Sequence, residues 1–273
     1  MTDGSTGKVM VRDQSVSFNT FGDSEGEPVV FLHGTPGSRL LGRIFDGTAQ
    51  RAELEVLTPD RPGYGQSTSW PERTLTDAGT IVANLLDARD IKNTRIIGFS
   101  GGGPHALAAA ATHPDRIREV HIISGATPHR MGKPVATQRR IAMLARRTPR
   151  LLGGLFRMQA WFAERSPSLI VSQFTANPNE VADADARLVA RDFVEAVGKG
   201  ASGAVVEFQL LAEPWGFDLG EVEVPIQFWH GEYDVNVPVD GVQELCAEIP
   251  DTELTVRDTD HLTTLLAYRD AIT

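Results

Sequence analysis

The segment GFSGGGPHALAAAA, residues 98–111, places a serine between glycines and continues directly into an alanine-rich run. Because TRIIGFS, residues 94–100, has the apolar pattern of a strand, the sequence predicts a strand, a sharp turn and a helix in immediate succession. A serine at the tip of such a turn is strained, and Gly98 and Gly102 pass too close to other backbone for a side chain. The turn therefore lifts the Ser100 hydroxyl out of the sheet, above the helix N-terminus, where a nucleophile can act.

The rest of the chain alternates strand and helix patterns. Residues 8–11 and 15–20 predict an N-terminal hairpin, and residues 75–86 predict a helix with Thr74 as its N-cap. Short, mostly apolar runs that end in Gly, Asp or Ser occur at residues 28–34, 54–60, 94–100, 120–125, 225–231 and 252–258. Continuous apolarity is typical of strands covered on both faces. We therefore predict an α/β fold, with a mostly parallel central sheet and helices on both faces.

The alternation stops between about Thr127 and Glu221, where we find no convincing strand pattern. Helical stretches recur there, the clearest of which places on one face Ala182, Ala186, Val189, Phe193 and Val197. A structureless loop of that length is improbable in a compact domain. We expect residues 127–221 to form an all-helical cap on the carboxyl ends of the strands, inserted into a core made of residues 1–126 and 222–273.

Charge divides this insertion into a basic and an acidic half. Between Val120 and Ala163 there is no Asp or Glu, whereas eight basic residues accumulate: Arg130, Lys133, Arg139, Arg140, Arg146, Arg147, Arg150 and Arg157. We favour a solvated helix face; a site for an anionic substrate group or an acidic lipid surface is the alternative. The same segment also contains seven large apolar residues: Leu151, Leu152, Leu155, Phe156, Met158, Trp161 and Phe162. We expect these apolar residues to form lid core or pocket wall rather than a membrane anchor.

Composition excludes several classes of function. A formal net charge of −10 disfavours a general nucleic-acid binder, because phosphate contacts need clustered Lys and Arg. The single cysteine, Cys246, cannot form an internal disulfide. The N-terminal MTDGSTG lacks the regions of a signal peptide, and no apolar run approaches the roughly 18 residues that span a bilayer. We therefore expect a cytoplasmic location without stable membrane insertion.

The glycine turn also fits a dinucleotide-binding fingerprint, with Gly101, Gly103 and Ala106 as G-x-G-x-x-A. That fingerprint requires an acidic residue about 20 positions later, at the end of the next strand. Residues 122–126 contain none. The sequence also lacks a cluster of His, Cys and carboxylates with zinc-ligand spacing. It therefore predicts neither a cofactor nor a metal ion.

A serine nucleophile needs a base, and the base needs a carboxylate that orients it. His261 follows the last predicted strand, so it should lie above the same sheet edge as Ser100. Asp234 follows the strand at residues 225–231 and should reach that edge too. The local alternatives to this carboxylate are Glu232, Asp258 and Asp260, and for the latter two we favour helix capping or turn formation.

In this order along the chain, Ser100, Asp234 and His261 resemble the nucleophile, acid and histidine of the α/β-hydrolase family. HGTPGS, residues 33–38, resembles the family's HG turn, and DRPGYGQS, residues 60–67, resembles its D-x-P-G-x-G-x-S loop, a structural turn. The resemblance covers residues 29–261 apart from the insertion, which corresponds to the family's variable cap. One departure is that Thr259 and Asp260 precede the histidine, where many members have a glycine.

The resemblance implies an oxyanion hole formed by the N–H groups of Thr35 and Gly101. It also excludes the dehalogenases and epoxide hydrolases of the superfamily, whose nucleophile is aspartate. The implied function is hydrolysis of a small-molecule carboxylic ester or related acyl substrate through an acyl-enzyme. We expect a pocket that includes Phe99, Leu155, Phe156 and Trp161. The alternatives are a carbon–carbon bond hydrolase of a diketone acid with the same triad, cofactor-free peroxide-dependent acyl chemistry, and a non-catalytic ligand-binding protein.

Overall fold

The computed structural model describes residues 4–133 and 135–272, and in them eight strands form one sheet. The strands are β1 Ser5–Val11, β2 Gln14–Gly22, β3 Glu27–Leu32, β4 Leu54–Pro59, β5 Thr94–Phe99, β6 Ile117–Ile123, β7 Ile226–Gly231 and β8 Thr252–Arg257. Their order across the sheet is β1-β2-β4-β3-β5-β6-β7-β8. β1 pairs antiparallel with β2, and β2 with β4, whereas every other neighbouring pair is parallel. The predicted mostly parallel sheet is confirmed.

The α-helices of the described residues are α1 Asp46–Arg51, α2 Asp77–Asp87, α3 Gly102–Thr112, α4 Ala136–Arg147, α5 Pro149–Ala163, α6 Ser168–Val171, α7 Asp183–Val197, α8 Ser202–Leu210, α9 Val239–Glu248 and α10 His261–Ala271. Helices pack on both faces of the sheet. Successive residues of a buried strand point to opposite faces, so each central strand contributes side chains to both packed layers. In β3, Val30 and Leu32 pack with α2, α3 and α9, whereas Val29 and Phe31 pack with α1 and α10.

The predicted N-cap of the helix that begins after Thr74 is wrong. The helix α2 begins at Asp77, and its N-cap is Thr76. The Asp77 carboxylate accepts hydrogen bonds from the Thr74 N–H at 2.7 Å and the Thr74 hydroxyl at 2.9 Å. Thr74 therefore donates to the first residue of the helix instead of accepting from a helix N–H.

The insertion between β6 and β7 contains α4 to α8 and no strand among its described residues. The periodic face predicted from the sequence lies on α7, where Val189, Phe193 and Val197 are buried. This face packs in the same core as α10 and the neighbouring side of the sheet. The insertion thus shares its apolar interior with the sheet.

Helix α5 carries apolar residues on two different faces. Its inner face buries Leu152, Phe156, Ala160 and Ala163. Its outer face exposes Leu151 at 55%, Leu155 at 41%, Met158 at 54%, Trp161 at 51% and Phe162 at 45%. The expectation that these outer residues form lid core is wrong, because the helical period of 3.6 residues turns them away from the inner face. None of the helices in the described residues is long and apolar enough to cross a membrane.

Candidate active site

Ser100 lies between the end of β5 at Phe99 and the start of α3 at Gly102. Its φ of +52° is in the left-handed region that side-chain-bearing residues rarely adopt. Hydrogen bonds hold this strained backbone: the Ser100 N–H donates to the Ile123 carbonyl at 2.9 Å. The Ser100 carbonyl accepts from the N–H groups of Gly103 and Ala126, each at 3.0 Å. Surrounding backbone therefore fixes the position of the hydroxyl.

The glycines around Ser100 are explained by close backbone contacts. A Cβ on Gly102 would lie 2.1 Å from the Leu32 carbonyl oxygen, and a Cβ on Gly98 would lie 2.8 Å from the Gly102 carbonyl oxygen. A Cβ on Gly101 would lie 2.1 Å from the Thr35 hydroxyl oxygen. The first two contacts involve backbone, which cannot rotate away as a flexible side chain can. The turn thus requires glycine both before and after the serine.

Gly102→Ala is expected to lower the free energy of unfolding by about 2 kcal/mol or more, because the added methyl group overpacks the turn against β3. Urea unfolding followed by circular dichroism measures this change. Gly154→Ala is the matched control: Gly154 lies within α5, and apart from its own helix backbone no atom of the described residues lies within 4 Å of an added Cβ. That control should gain about 0.5–1 kcal/mol from helix propensity. Equal stability of the two variants would contradict the steric explanation.

His261 lies at the first residue of α10, and its ring reaches Ser100 and Asp234 together. The Ser100 hydroxyl donates to His261 Nε2 across 3.0 Å. On the other side of the ring, Nδ1 donates to Asp234 Oδ2 at 2.7 Å. Asp234 follows β7, so these three side chains meet at the carboxyl edge of the sheet from distant parts of the chain. The geometry allows the imidazole to take a proton from the serine while the carboxylate orients it.

The Asp234 carboxylate is buried and held by further donors. Its Oδ1 accepts from the N–H groups of Asn236 and Val237, each at 2.9 Å. Burial disfavours ionisation, but the His261 ring, His230 and the Val237 N–H outweigh it and keep the pKa of Asp234 below its ordinary value. The carboxylate is therefore ionised and fixes the proton of His261 on Nδ1.

His230 lies behind the carboxylate and was not singled out from the sequence as a site residue. Its Nε2 lies 3.6 Å from Asp234 Oδ2 and donates to the Val237 carbonyl at 2.7 Å. Burial lowers the pKa of His230 below its ordinary value, although the nearby Asp234 carboxylate opposes that shift. In the sequence, its location next to Gly231 at the end of a strand is typical of a turn.

The other acidic residues near Asp234 have different environments. Asp260 caps α10, and its side chain accepts from the Thr263 N–H at 3.1 Å. It also accepts from the Thr175 hydroxyl at 2.7 Å, which joins the cap of α10 to the insertion. Glu232 and Asp258 are exposed. These hydrogen bonds agree with the capping role expected for Asp260.

Thr35 and Gly101 line the same cavity as the Ser100 hydroxyl. Neither of their backbone N–H groups has a hydrogen-bond acceptor among the residues that the structure describes. Arg61 holds the Thr35 segment by donating to the Gly34 carbonyl at 2.9 Å and to the Thr35 hydroxyl at 3.0 Å. Two free N–H groups beside the nucleophile can stabilise negative charge that develops on a substrate oxygen.

A cavity of about 550 Å³ opens in front of the serine. It is lined by Thr35, Pro36, Ser100, Gly101, Ala126, Thr127, His129, Val135, Thr137, Gln138, Ile141, Ala142, Phe156, Gln173, Phe174, Phe193, Phe208, Leu211, Val235, Asn236, Val237 and His261. Phe156 and Phe208 stack with ring centroids 5.9 Å apart, and Phe174 stacks on His261 at 6.0 Å. No Asp, Glu, Lys or Arg of the described chain lines this cavity. It is an apolar chamber with uncharged polar groups in its wall.

The predicted pocket residues divide into three groups. Phe156 lines the cavity. Phe99 lies outside its lining and packs against the His261 ring, with centroids 5.2 Å apart. Leu155 and Trp161 lie on the exposed outer face of α5 and are not among the lining residues, which corrects that part of the prediction. Phe174 lines the cavity although no periodic pattern in the sequence pointed to it, whereas Phe193 lies on the α7 face that the sequence predicted.

Two buried carboxylates connect the insertion to the loops of the core. Glu207 of α8 accepts from Arg61 Nε at 3.1 Å and Arg73 Nη2 at 2.7 Å, and it also contacts His105. Asp192 of α7 accepts from the Ser38 N–H at 2.8 Å and the Ser38 hydroxyl at 2.7 Å. Burial raises the pKa of Asp192 to about 7. Both residues belong to the half of the insertion that the sequence characterises only as acidic.

A family model described as the alpha/beta hydrolase fold matches residues 27–268. The uncharacterized hydrolase YcgS of Bacillus subtilis is 30% identical over 104 residues, 38% of this chain and 36% of that protein. This chain therefore matches about a third of that relative's length. A Cupriavidus pinatubonensis protein named 2-hydroxy-6-oxononadienedioate/2-hydroxy-6-oxononatrienedioate hydrolase is 27% identical over 263 residues, 92% of this chain and 86% of that protein.

Among solved structures, a bromoperoxidase from Bacillus anthracis is similar with a TM-score of 0.74 at 19% identity, covering 98% of both chains. At that identity the likeness concerns the fold alone. The family model, in contrast, matches well over half of the sequence, from β3 to α10. The chain belongs to the alpha/beta hydrolase fold family.

Proposed function

We propose that this protein hydrolyses carboxylic esters of uncharged, medium-sized acyl or aromatic groups, with Ser100 as the nucleophile. The observation that carries the proposal is the hydrogen-bond chain from the Ser100 hydroxyl through His261 to the ionised Asp234. This chain ends in an apolar cavity large enough for a small ester. A buried carboxylate, an oriented imidazole and a strained serine form the arrangement that deprotonates an alcohol.

In the proposed reaction, Ser100 Oγ attacks the ester carbonyl carbon and its proton moves to His261 Nε2. The carbonyl oxygen becomes negatively charged and accepts from the N–H groups of Thr35 and Gly101. The imidazolium, stabilised by Asp234, gives its proton to the leaving alcohol, and an acyl-serine remains. Water then loses a proton to Nε2 and attacks the acyl carbon, and return of this proton to Ser100 releases the acid.

We further propose that residues 127–221 act as the cap of this site. Phe156, Phe193 and Phe208 come from three different helices of the insertion and together form an aromatic part of the cavity wall. The buried carboxylates of Asp192 and Glu207 hold the insertion onto the loops that carry Ser38 and Arg61.

We place the protein in the cytoplasm, in line with its lone cysteine.

The second candidate is a carbon–carbon bond hydrolase, which the named Cupriavidus relative favours because its match spans nearly the whole chain. That relative's name describes a dioate, a substrate with two carboxylates. A buried carboxylate needs a cationic or strongly donating partner. No Lys or Arg of the described residues lines the cavity here. The His129 ring in the wall is neutral, because burial and the nearby Arg139 and Arg146 lower its pKa.

The two candidates are separated by comparing nitrophenyl esters of neutral acyl chains with esters of the same length that end in a carboxylate. A diketone acid tests carbon–carbon cleavage directly. We expect kcat/KM for the neutral esters to exceed that for the carboxylate-bearing esters by at least about tenfold, since an unpaired buried charge costs several kcal/mol. A preference for the carboxylate-bearing esters, or faster cleavage of the diketone acid, would overturn the ester proposal.

A further inference from the structure

The outer face of α5 is an exposed apolar stripe. Leu151, Leu155, Met158 and Phe162 follow one another at intervals of four, three and four residues, which places them in one row along the helix. Trp161 extends the row on one side, and all five side chains are more than two-fifths exposed. Single exposed apolar residues are ordinary, whereas a contiguous row of large ones marks an interaction surface.

Basic side chains border this row. Arg150 and Arg157 lie on the same helix and are exposed, as is Arg147 at the end of α4. No acidic residue of the described chain pairs with these three arginines. The Arg165 guanidinium lies 3.8 Å from the centre of the Trp161 ring. The patch is thus apolar with a positive border, on a protein whose formal net charge is −10.

The charge of the border selects among possible occupants. A second copy of the chain, docked by a two-fold axis, would bring this face against itself and place arginine near arginine. The phosphate groups of an anionic lipid surface can accept hydrogen bonds from the arginines. The apolar layer just below the headgroups can bury the apolar row. Trp161 and the arginines are residue types suited to that boundary, because each combines an apolar part with a polar group.

We propose that the outer face of α5 docks this protein on anionic lipid bilayers. The row from Leu151 to Phe162 enters the headgroup boundary, and Arg147, Arg150 and Arg157 contact lipid phosphates. The helix lies along the membrane surface and does not span it. Its inner face carries Phe156, which lines the cavity, so one helix separates the docking surface from the candidate active site.

Co-sedimentation with vesicles tests this inference without any catalytic turnover, so it can fail or succeed independently of the proposed ester chemistry. Vesicles of phosphatidylcholine alone are compared with vesicles that also contain phosphatidylglycerol. One variant carries Leu155→Gln, Met158→Gln and Trp161→Gln, and a second carries Arg150→Glu and Arg157→Glu. Control variants are Met10→Gln in β1 and Arg51→Glu in α1, which replace exposed residues outside the insertion.

We expect the unaltered protein and both controls to bind the anionic vesicles at least about tenfold more strongly than the neutral ones. Each α5 variant should weaken binding to anionic vesicles by about tenfold or more, and added salt should weaken binding by the unaltered protein. Absence of binding, or binding that the α5 variants do not change, would overturn the proposal. So would a dimer in analytical ultracentrifugation that the apolar variant dissociates, because a second copy would then cover the face.

Discussion

Ser100→Ala is expected to lower kcat for a neutral nitrophenyl ester by about 10⁵-fold, because the proposed acyl intermediate forms on the Ser100 hydroxyl. The substitution removes one oxygen from a turn whose backbone is held by Ile123, Gly103 and Ala126, so the fold should be retained. Initial rates with the purified variant, together with its circular dichroism spectrum, measure both quantities. Ser172→Ala, which alters an exposed serine of the insertion, should leave kcat unchanged.

Asp234→Asn should lower kcat by about 10⁴-fold, although the shape of the side chain is kept. The amide cannot stabilise the imidazolium, and its NH₂ group favours the His261 tautomer that points a proton at Ser100. A variant with either substitution that retained a tenth of the original kcat would contradict the assigned roles. Adding Asp234→Asn to Ser100→Ala should cost little more than Ser100→Ala alone, since the residues act as a unit.

Glu207→Ala should lower the free energy of unfolding by about 3–5 kcal/mol, because it leaves two buried guanidinium groups without their counter-ion. Arg61 and Arg73 have side chains that are 3% and 2% exposed, and Glu207 is fully buried between them. Burial disfavours its ionisation, but Arg61, His105 and Arg73 outweigh burial and hold the pKa of Glu207 well below its ordinary value. Urea unfolding at neutral pH measures the loss.

The pH dependence of this loss has a defined sign. Because the pKa of Glu207 is lower in the folded than in the unfolded state, its stabilising contribution is complete above the unfolded pKa. It is lost as pH falls through the folded value. Glu213→Ala is the matched control, since Glu213 pairs with Arg146 on the surface, and it should change stability by less than about 1 kcal/mol. Equal effects of the two substitutions would contradict the buried network.

The location of Ser100 could be predicted from the sequence because its cause is local. A strand, a serine between glycines and an alanine-rich helix are adjacent in the chain, and the close contacts of Gly98 and Gly102 follow from that geometry. His261 and Asp234 were accessible to prediction for a different reason. In a parallel sheet, residues that follow different strands reach the same edge whatever their separation in the chain.

The cavity wall could not be predicted in the same way. The sequence of α5 has apolar residues on two faces, and its pattern does not say which face meets the core. Leu155 and Trp161 were therefore placed in the pocket together with Phe156, which alone of the three lines it. Glu207 was missed because its partners Arg61, Arg73 and His105 are more than a hundred residues away, and only tertiary packing brings them together.

Reaction with a fluorophosphonate probe tests most directly the proposal that Ser100 is a nucleophile activated by His261. Intact-mass analysis followed by peptide mapping is expected to show one adduct per chain, attached to Ser100. The adduct should be absent from Ser100→Ala and form far more slowly in His261→Ala. A folded protein that forms no adduct would instead favour a non-catalytic, ligand-binding role for the cavity, and an adduct on another serine would contradict the assignment of Ser100.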